Sequence, residues 1–204
     1  MELIGERWSL MIVRELMLGP RRFSDLRASL PGISAKVLTE RLASLEQAGV
    51  LKREMLPKPA AVQVYGLTPW GYAGEGSLQE LGRWAAMHSG HDPLLPLSAV
   101  SLMLSMRTMF NPAKAVGQRA RIGFNIAGEE FIAAMANGEL PIKRGHAAQG
   151  QAMFRMPDPS VLAGLLYAKL PVEELEKDAG LVIEGDRELA LRYADIFALP
   201  DKLA

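Results

Sequence analysis

From Gly32 the chain reads Gly-Ile-Ser-Ala-Lys-Val-Leu-Thr-Glu-Arg-Leu-Ala-Ser-Leu-Glu-Gln-Ala-Gly49, then Val-Leu-Lys-Arg-Glu54. A serine placed to cap, leucines at helical spacing and a terminating glycine define one short helix, and a basic strand starts directly behind it. Leu38, Leu42 and Leu45 fall on one face of that helix, whereas Lys36, Thr39, Glu40 and Ala43 lie on or near the other. The helix thus has an anchored back and a polar front. Set beside a hairpin, such a helix has the form that enters a DNA groove.

The flanking segments fit this frame. Ile4, Trp8, Met11, Ile12, Glu15 and Leu16 recur at helical spacing and predict a first helix over residues 2–18, stopped by Gly19-Pro20. A short helix is expected over 23–29, where Ser24 and Asp25 suit an N-terminus. Leu30-Pro31-Gly32 turns the chain, and Ser34 caps the next helix. Residues 50–56 and 62–67 read as strands, because the prolines of the 57–61 turn cannot serve a ladder. Thr68-Pro69 opens a helix expected over 70–88, with Leu78, Leu81, Trp84 and Ala85 on one side. Gly71, Gly74, Gly76 and Gly82 each cost that helix about 1 kcal/mol against alanine, so it calls for close packing against a partner.

The 204 residues fit one large domain or two of about 100 residues each, and at 49% hydrophobic residues either can bury a core. The absence of cysteine excludes disulfides, thiol switches and thiolate zinc sites. Met1 is followed by acidic Glu2 rather than a basic signal region, and no apolar run reaches the roughly 18 residues of a membrane span. A cytoplasmic, nucleoid-associated protein is the expectation. Formal charge is zero, yet between Pro20 and Lys58 eight cations face four anions, a local excess suited to phosphates.

His88-Ser-Gly-His-Asp-Pro-Leu-Leu-Pro96 reads as a linker, with its core at 91–96. Beyond it, helices are expected over 98–110, 158–167, 171–177 and 186–197. Strands are expected at 119–126, 139–143, 151–156 and 181–184, with a further apolar stretch at 130–135. Strands followed by helices indicate an α+β second domain. The expected division is 1–90, a 91–96 linker and 97–204.

The strings Ile4-Gly-Glu-Arg-Trp-Ser, Leu18-Gly-Pro-Arg-Arg-Phe-Ser-Asp-Leu, Gly32-Ile-Ser and Val37-Leu-Thr-Glu-Arg-Leu closely resemble HxlR-type winged helix-turn-helix regulators. Leu45-Glu-Gln-Ala-Gly-Val, Tyr65-Gly-Leu-Thr-Pro-Trp-Gly and Leu81-Gly-Arg-Trp resemble them too. This resemblance, over about the first 90 residues, implies a homodimeric transcriptional regulator with a mostly α N-terminal winged helix-turn-helix. It makes 34–48 the recognition helix and 57–61 the wing. Many such regulators sense oxidants or electrophiles through a cysteine ahead of the first helix, and this chain has none. The second half resembles sterol carrier protein type two, through Pro157-Asp-Pro-Ser-Val-Leu-Ala-Gly-Leu-Leu, Ala179-Gly-Leu-Val-Ile-Glu-Gly-Asp and Ile196-Phe-Ala-Leu-Pro. That similarity implies an α+β sterol-carrier-like domain with an apolar tunnel for lipids or other hydrophobic molecules.

The expected partners are double-stranded DNA, a second copy of the chain and an apolar small molecule or lipid. For DNA the candidate residues are Arg22, Ser34, Lys36, Thr39, Arg41, Lys58 and Gln63. Lys36 is placed for base or phosphate contact, and Arg22 and Lys58 occupy turns that suit backbone phosphates. Thr39 is balanced between a contact and a solvated helix face. Glu40 would repel phosphate unless it reads a cytosine amine. Arg41 sits at the edge of the buried face, where an internal ion pair and a phosphate contact are both open. Trp8, Leu78, Leu81 and Trp84 are the candidate dimer contacts.

In the second domain Met103, Met106, Phe110, Phe124, Phe131 and Met153 are candidate lining for a ligand cavity, with ordinary core as the competing reading. His88, His91 and Asp92 are read as linker composition rather than a metal site, since zinc takes four ligands, or three and a water. No nucleophile elbow, phosphate-cradling loop or paired carboxylates point to an enzyme, and no cofactor is expected. The competing class is a lipid-binding or transfer protein whose helix-turn-helix serves only dimerisation.

Overall fold

The structure, a computed structural model, describes residues 5–57, 59, 61–92 and 95–203. Two compact units emerge, Met1–Leu78 and Gln79–Ala204. The division falls within one helix, ahead of the 91–96 segment, of which residues 93 and 94 lie outside the described set.

The first unit contains α1 (Ser9–Leu16), α2 (Phe23–Ser29), α3 (Ala35–Gln47), β1 (Leu51–Met55), β2 (Gln63–Leu67) and α4 (Pro69–Ala73). Its core joins Ile12 and Leu16 of α1 to Leu26 of α2 and Leu38, Leu42 and Leu45 of α3, all fully buried. Among described residues, α1 is shorter than its periodicity predicts. Trp8 precedes it at φ 80° and ψ −20°, a left-handed conformation through which a helix cannot continue. Gly49 ends α3 at φ +74°, letting Val50 N–H close on Leu45 O at 2.9 Å before β1 begins. The antiparallel hairpin pairs Leu51 with Leu67 and Met55 with Gln63.

The helix expected over 70–88 is two helices, α4 and α5 (Glu75–Ala86), separated by Gly74. Thr68 Oγ1 accepts from Gly71 N–H at 3.1 Å, capping α4, and donates to Gly49 O at 2.7 Å. Gly71 is the glycine that packing requires, because a Cβ there would stand 2.2 Å from Val50 O. A Cβ at Gly76 or Gly82 would meet nothing within 4 Å, so packing within the chain does not account for those two.

The second unit comprises the end of α5, α6 (Ala99–Met109), β3 (Ala120–Ile126), β4 (Glu129–Met135), β5 (Ile142–Arg144) and β6 (Ala152–Met156), then α7 (Pro159–Leu166), α8 (Val172–Asp178), β7 (Val182–Gly185) and α9 (Arg187–Ala194). The sheet order is β5-β4-β3-β6-β7, antiparallel except for the parallel β3–β6 pair. It is a mixed sheet with helices. Strand β5 starts later than expected, after Pro141, which has no N–H for a ladder. α7 and α9 pack on one face of the sheet, where Phe124 pairs with Phe131 and stacks on Phe154 at 5.8 Å. The chain returns from β5 to β6 through a 3-10 turn (Ala147–Gln149) over Gly123. A Cβ at Gly123 would stand 1.9 Å from Ala147 O, so the glycine inside β3 marks a close backbone approach.

Candidate nucleic-acid interface

Ser34 Oγ accepts from Val37 N–H at 3.2 Å and starts α3, as its position after Ile33 suggests. With its leucines buried against α1 and α2, α3 turns Lys36, Thr39, Glu40 and Ala43 to solvent. Lys36 is 86% exposed and lies 4.0 Å from Glu40 one turn on. A pair this open and this long holds its partner weakly, which leaves the ammonium available to a competing phosphate. Thr39 Oγ1 donates to Ala35 O at 2.9 Å, so the hydroxyl keeps only its acceptor capacity for an outside partner.

Arg41 is partly buried, with Nη2 at 3.2 Å from Glu6 Oε2, so its first partner is within the fold. Ion pairs also engage Lys52 with Glu54 at 3.1 Å and Arg53 with Glu46. Glu46 Oε1 accepts from Arg53 N–H at 3.2 Å and Oε2 from Arg53 Nε at 2.8 Å. Hydrogen bonding from the Arg53 side chain holds the Glu46 carboxyl below its usual range, and the same contact raises Arg53. Of the segment's cations, Arg22 and Arg27 form no ion pair among the described residues. Arg22 is exposed at the N-cap of α2, and Arg27 is exposed in its last turn. Lys58 lies outside the described residues. Gln63 is exposed at the start of β2 and donates from Nε2 to Tyr65 Oη at 3.3 Å.

Together the hairpin and α3 present a polar helix front with arginines at both ends of α2, a set of donors for phosphates and base edges. Arg27 appeared in the sequence only as one more cation. The signal that singles it out is negative: no carboxylate occupies a helical neighbour position C-terminal to it. Sequence reasoning also missed the carboxylate beneath this surface. Glu15 is fully buried, receives Arg14 Nε and Nη2 on Oε1 at 3.2 and 3.0 Å, and has Arg21 Nη1 at 3.5 Å from Oε2. A Glu in the apolar stripe of α1 was the available clue.

The remaining candidates fall in separate places. Trp8 is half-buried, its ring against the Gly32 turn and Arg7 above it at 5.4 Å. On α5 Leu78 is half-buried, while Leu81 and Trp84 are 47% and 70% exposed. Met103 and Met106 are fully buried on α6, and Phe124 and Phe131 share the helix-covered face of the sheet. Phe110 is half-buried, bridged to Phe197 with rings 6.3 Å apart. Met153 departs from the expected group. Its neighbours Ala152 and Phe154 point into the core and strand side chains alternate, so Met153 lies on the opposite face from Phe124 and Phe131. It cannot line one cavity with them. Among the described residues no group of three His, Cys, Asp or Glu could hold a metal ion.

Comparison with known proteins bears on the first half of the chain. The profile of the HxlR-like helix-turn-helix matches residues 3–93. The HTH-type transcriptional regulator YodB of Bacillus subtilis (strain 168) is 41% identical over 83 residues, which are 41% of this chain and 74% of the relative. The uncharacterized HTH-type transcriptional regulator YvaP of the same organism is 40% identical over 84 residues, covering 41% of this chain and 78% of YvaP. The solved reduced form of YodB from B. subtilis aligns at a TM-score of 0.41 and 38% identity, over 45% of this chain and 90% of that one. With a profile and relatives agreeing over the segment that carries α1 to α5, this chain belongs to the HxlR-like helix-turn-helix family.

Proposed function

We propose that the protein is a sequence-specific DNA-binding transcriptional regulator acting as a homodimer. The observation that carries this reading is α3: its leucines are buried, Lys36, Thr39, Glu40 and Ala43 on its front are exposed, and the hairpin packs beside it. Two copies of α3 would address half-sites about 34 Å apart, one turn of duplex. The exposed Leu81 and Trp84 on α5 support self-association, since clustered exposed apolar side chains mark interaction surfaces. No helix among the described residues is long and apolar enough to cross a membrane.

The test is a salt titration of binding to a duplex selected from genomic fragments. Each phosphate contact adds about 0.9 to the slope of log affinity against log salt. Changing Arg22, Lys36 and Lys58 together to alanine is expected to weaken binding and flatten the slope. A variant with the wild-type slope removes those residues from the interface.

Regulation by a hydrophobic ligand in the second, sterol-carrier-like unit is a further part of the proposal. It is supported by the complete burial of the apolar side chains of Met103, Met106, Phe124 and Phe131. Coupling between such a ligand and DNA would typically amount to about 1–3 kcal/mol.

A further inference from the structure

We propose that Glu15 is a positioning residue for DNA contact, acting through Arg21 to place Arg22 and the hairpin; this rests on the DNA-binding reading above. Glu15 is completely buried at the C-terminal end of α1, and Arg21, whose Nη1 faces its Oε2 at 3.5 Å, is 8% exposed. A buried ion pair is seldom more stabilising than well-packed apolar residues of similar volume, because both charges are stripped of water. What it adds is direction. Apolar contact tolerates sliding and rotation, whereas a buried carboxylate anchored by Arg14 hydrogen bonds on Oε1 holds the Arg21 guanidinium near its Oε2 by charge.

The main chain of Arg21 shows what that direction is used for. Arg21 N–H donates to Tyr65 O at 2.9 Å, and Tyr65 N–H donates to Arg21 O at 2.8 Å. Arg21 is therefore a one-residue third strand on β2, and fixing its side chain at Glu15 fixes the hairpin to α1. The seat is close: a Cβ at Gly66 would stand 3.2 Å from Pro20 Cγ and 3.1 Å from Glu54 Oε1. The next residue is Arg22, the exposed α2 N-cap without an ion pair among the described residues. One interior carboxylate thus sets both the cation at the front of α2 and the strand that returns from the wing.

The experiment uses the full chain in three backgrounds: Glu15→Met with Arg21→Met, Arg21→Lys, and Glu15→Gln. The double apolar variant is expected to melt at or above the wild-type temperature yet bind the selected duplex about a hundredfold more weakly, about tenfold for one charge-assisted contact in each protomer. Arg22→Ala should weaken binding and lower the salt slope by about 1.8 in the wild type, about 0.9 for each protomer of the dimer, but add little in that double background. Arg21→Lys, which keeps a cation for Glu15, should retain most of the affinity. Hydrogen exchange gives a readout without DNA: the Arg21 and Tyr65 amides should exchange faster in Glu15→Gln than in the wild type, and the Leu42 amide should not. Wild-type affinity in the double apolar variant, or a full Arg22→Ala effect there, overturns the proposal. So does Glu15→Gln with unchanged exchange at both amides. A wild-type protein that binds no duplex defeats the DNA-binding reading instead, and the exchange experiment still decides whether Glu15 places the hairpin.

Discussion

Tyr193 is buried edge-on against Phe197 at 5.1 Å and tilted against Phe124 at 6.2 Å, and its Oη has no hydrogen-bond partner among the described residues. Burial, with a smaller contribution from Tyr167, pushes its ionisation far above that of a free phenol, so the group stays neutral. Leaving such a hydroxyl unpaired costs about 1–3 kcal/mol, while the ring contacts do not need the oxygen. Tyr193→Phe is therefore expected to leave the urea midpoint unchanged or raise it. A clear drop would show that the hydroxyl is satisfied. Tyr167 is different: its Oη accepts from Ser105 Oγ at 2.9 Å, a partner 62 positions away that no local pattern announces. At this scale the sequence identified Ser34 and Thr68 as caps, whereas Ser24 and Asp25 lie inside the first turn of α2, whose N-cap Arg22 makes no side-chain hydrogen bond. Ser34, Thr68, Ser98, Asp158 and Asp186 each accept a backbone N–H from the first turn of the helix they precede. Capping is settled within three positions of chain, which is why it can be read there.

At the scale of elements, α3 and β1 are stapled by Glu46 and Arg53. The sign of the pH effect follows from the lowered Glu46 ionisation. A carboxylate whose folded value lies below its unfolded one stabilises fully above the unfolded value, near 4.5, and the effect is lost as pH falls through the folded value. The melting temperatures of wild type and Glu46→Gln should differ near neutral pH and converge in acid below about 4.5. A gap that persists in acid would assign the difference to packing. Both groups are solvent-facing, so salt should narrow the gap as well. Helix α3 was legible because periodicity, cap and glycine stop agree. Helix α1 was not legible to its first residue, because apolar spacing carries on through Trp8 while its backbone does not. The break at Gly74 was similarly hidden inside a run of four glycines.

On the scale of the whole molecule, predictions concern assembly and regulation. Trp84 is 70% exposed, so Trp84→Glu sacrifices little packing within the chain. If α5 joins two copies, the variant should sediment as a monomer and lose operator affinity, and a dimer of normal affinity would exclude Trp84 from the contact. For the ligand, delipidated protein and protein saturated with apolar cell extract should differ in operator affinity by 5–150-fold, roughly the usual range of such coupling. Identical affinities would leave the second unit without a regulatory part in DNA binding.

By itself the sequence determined the order of most elements, the caps of several helices, the stop of α3 and its buried face, and membership of a family over its first half. Those features depend on residues within a turn or two of one another, or on a string of matched positions. Tertiary structure alone decided which side chains meet. It separated Met153 from Phe124 and Phe131, because a facing assignment depends on which strands pair and in what register. It gave Arg41, Lys52 and Arg53 partners and left Arg22 and Arg27 without an ion pair among the described residues. It also buried Glu15 with Arg21, two charges whose pairing depends on a turn folding back toward α1. Distance along the chain does not encode those approaches; only the packed core brings them about.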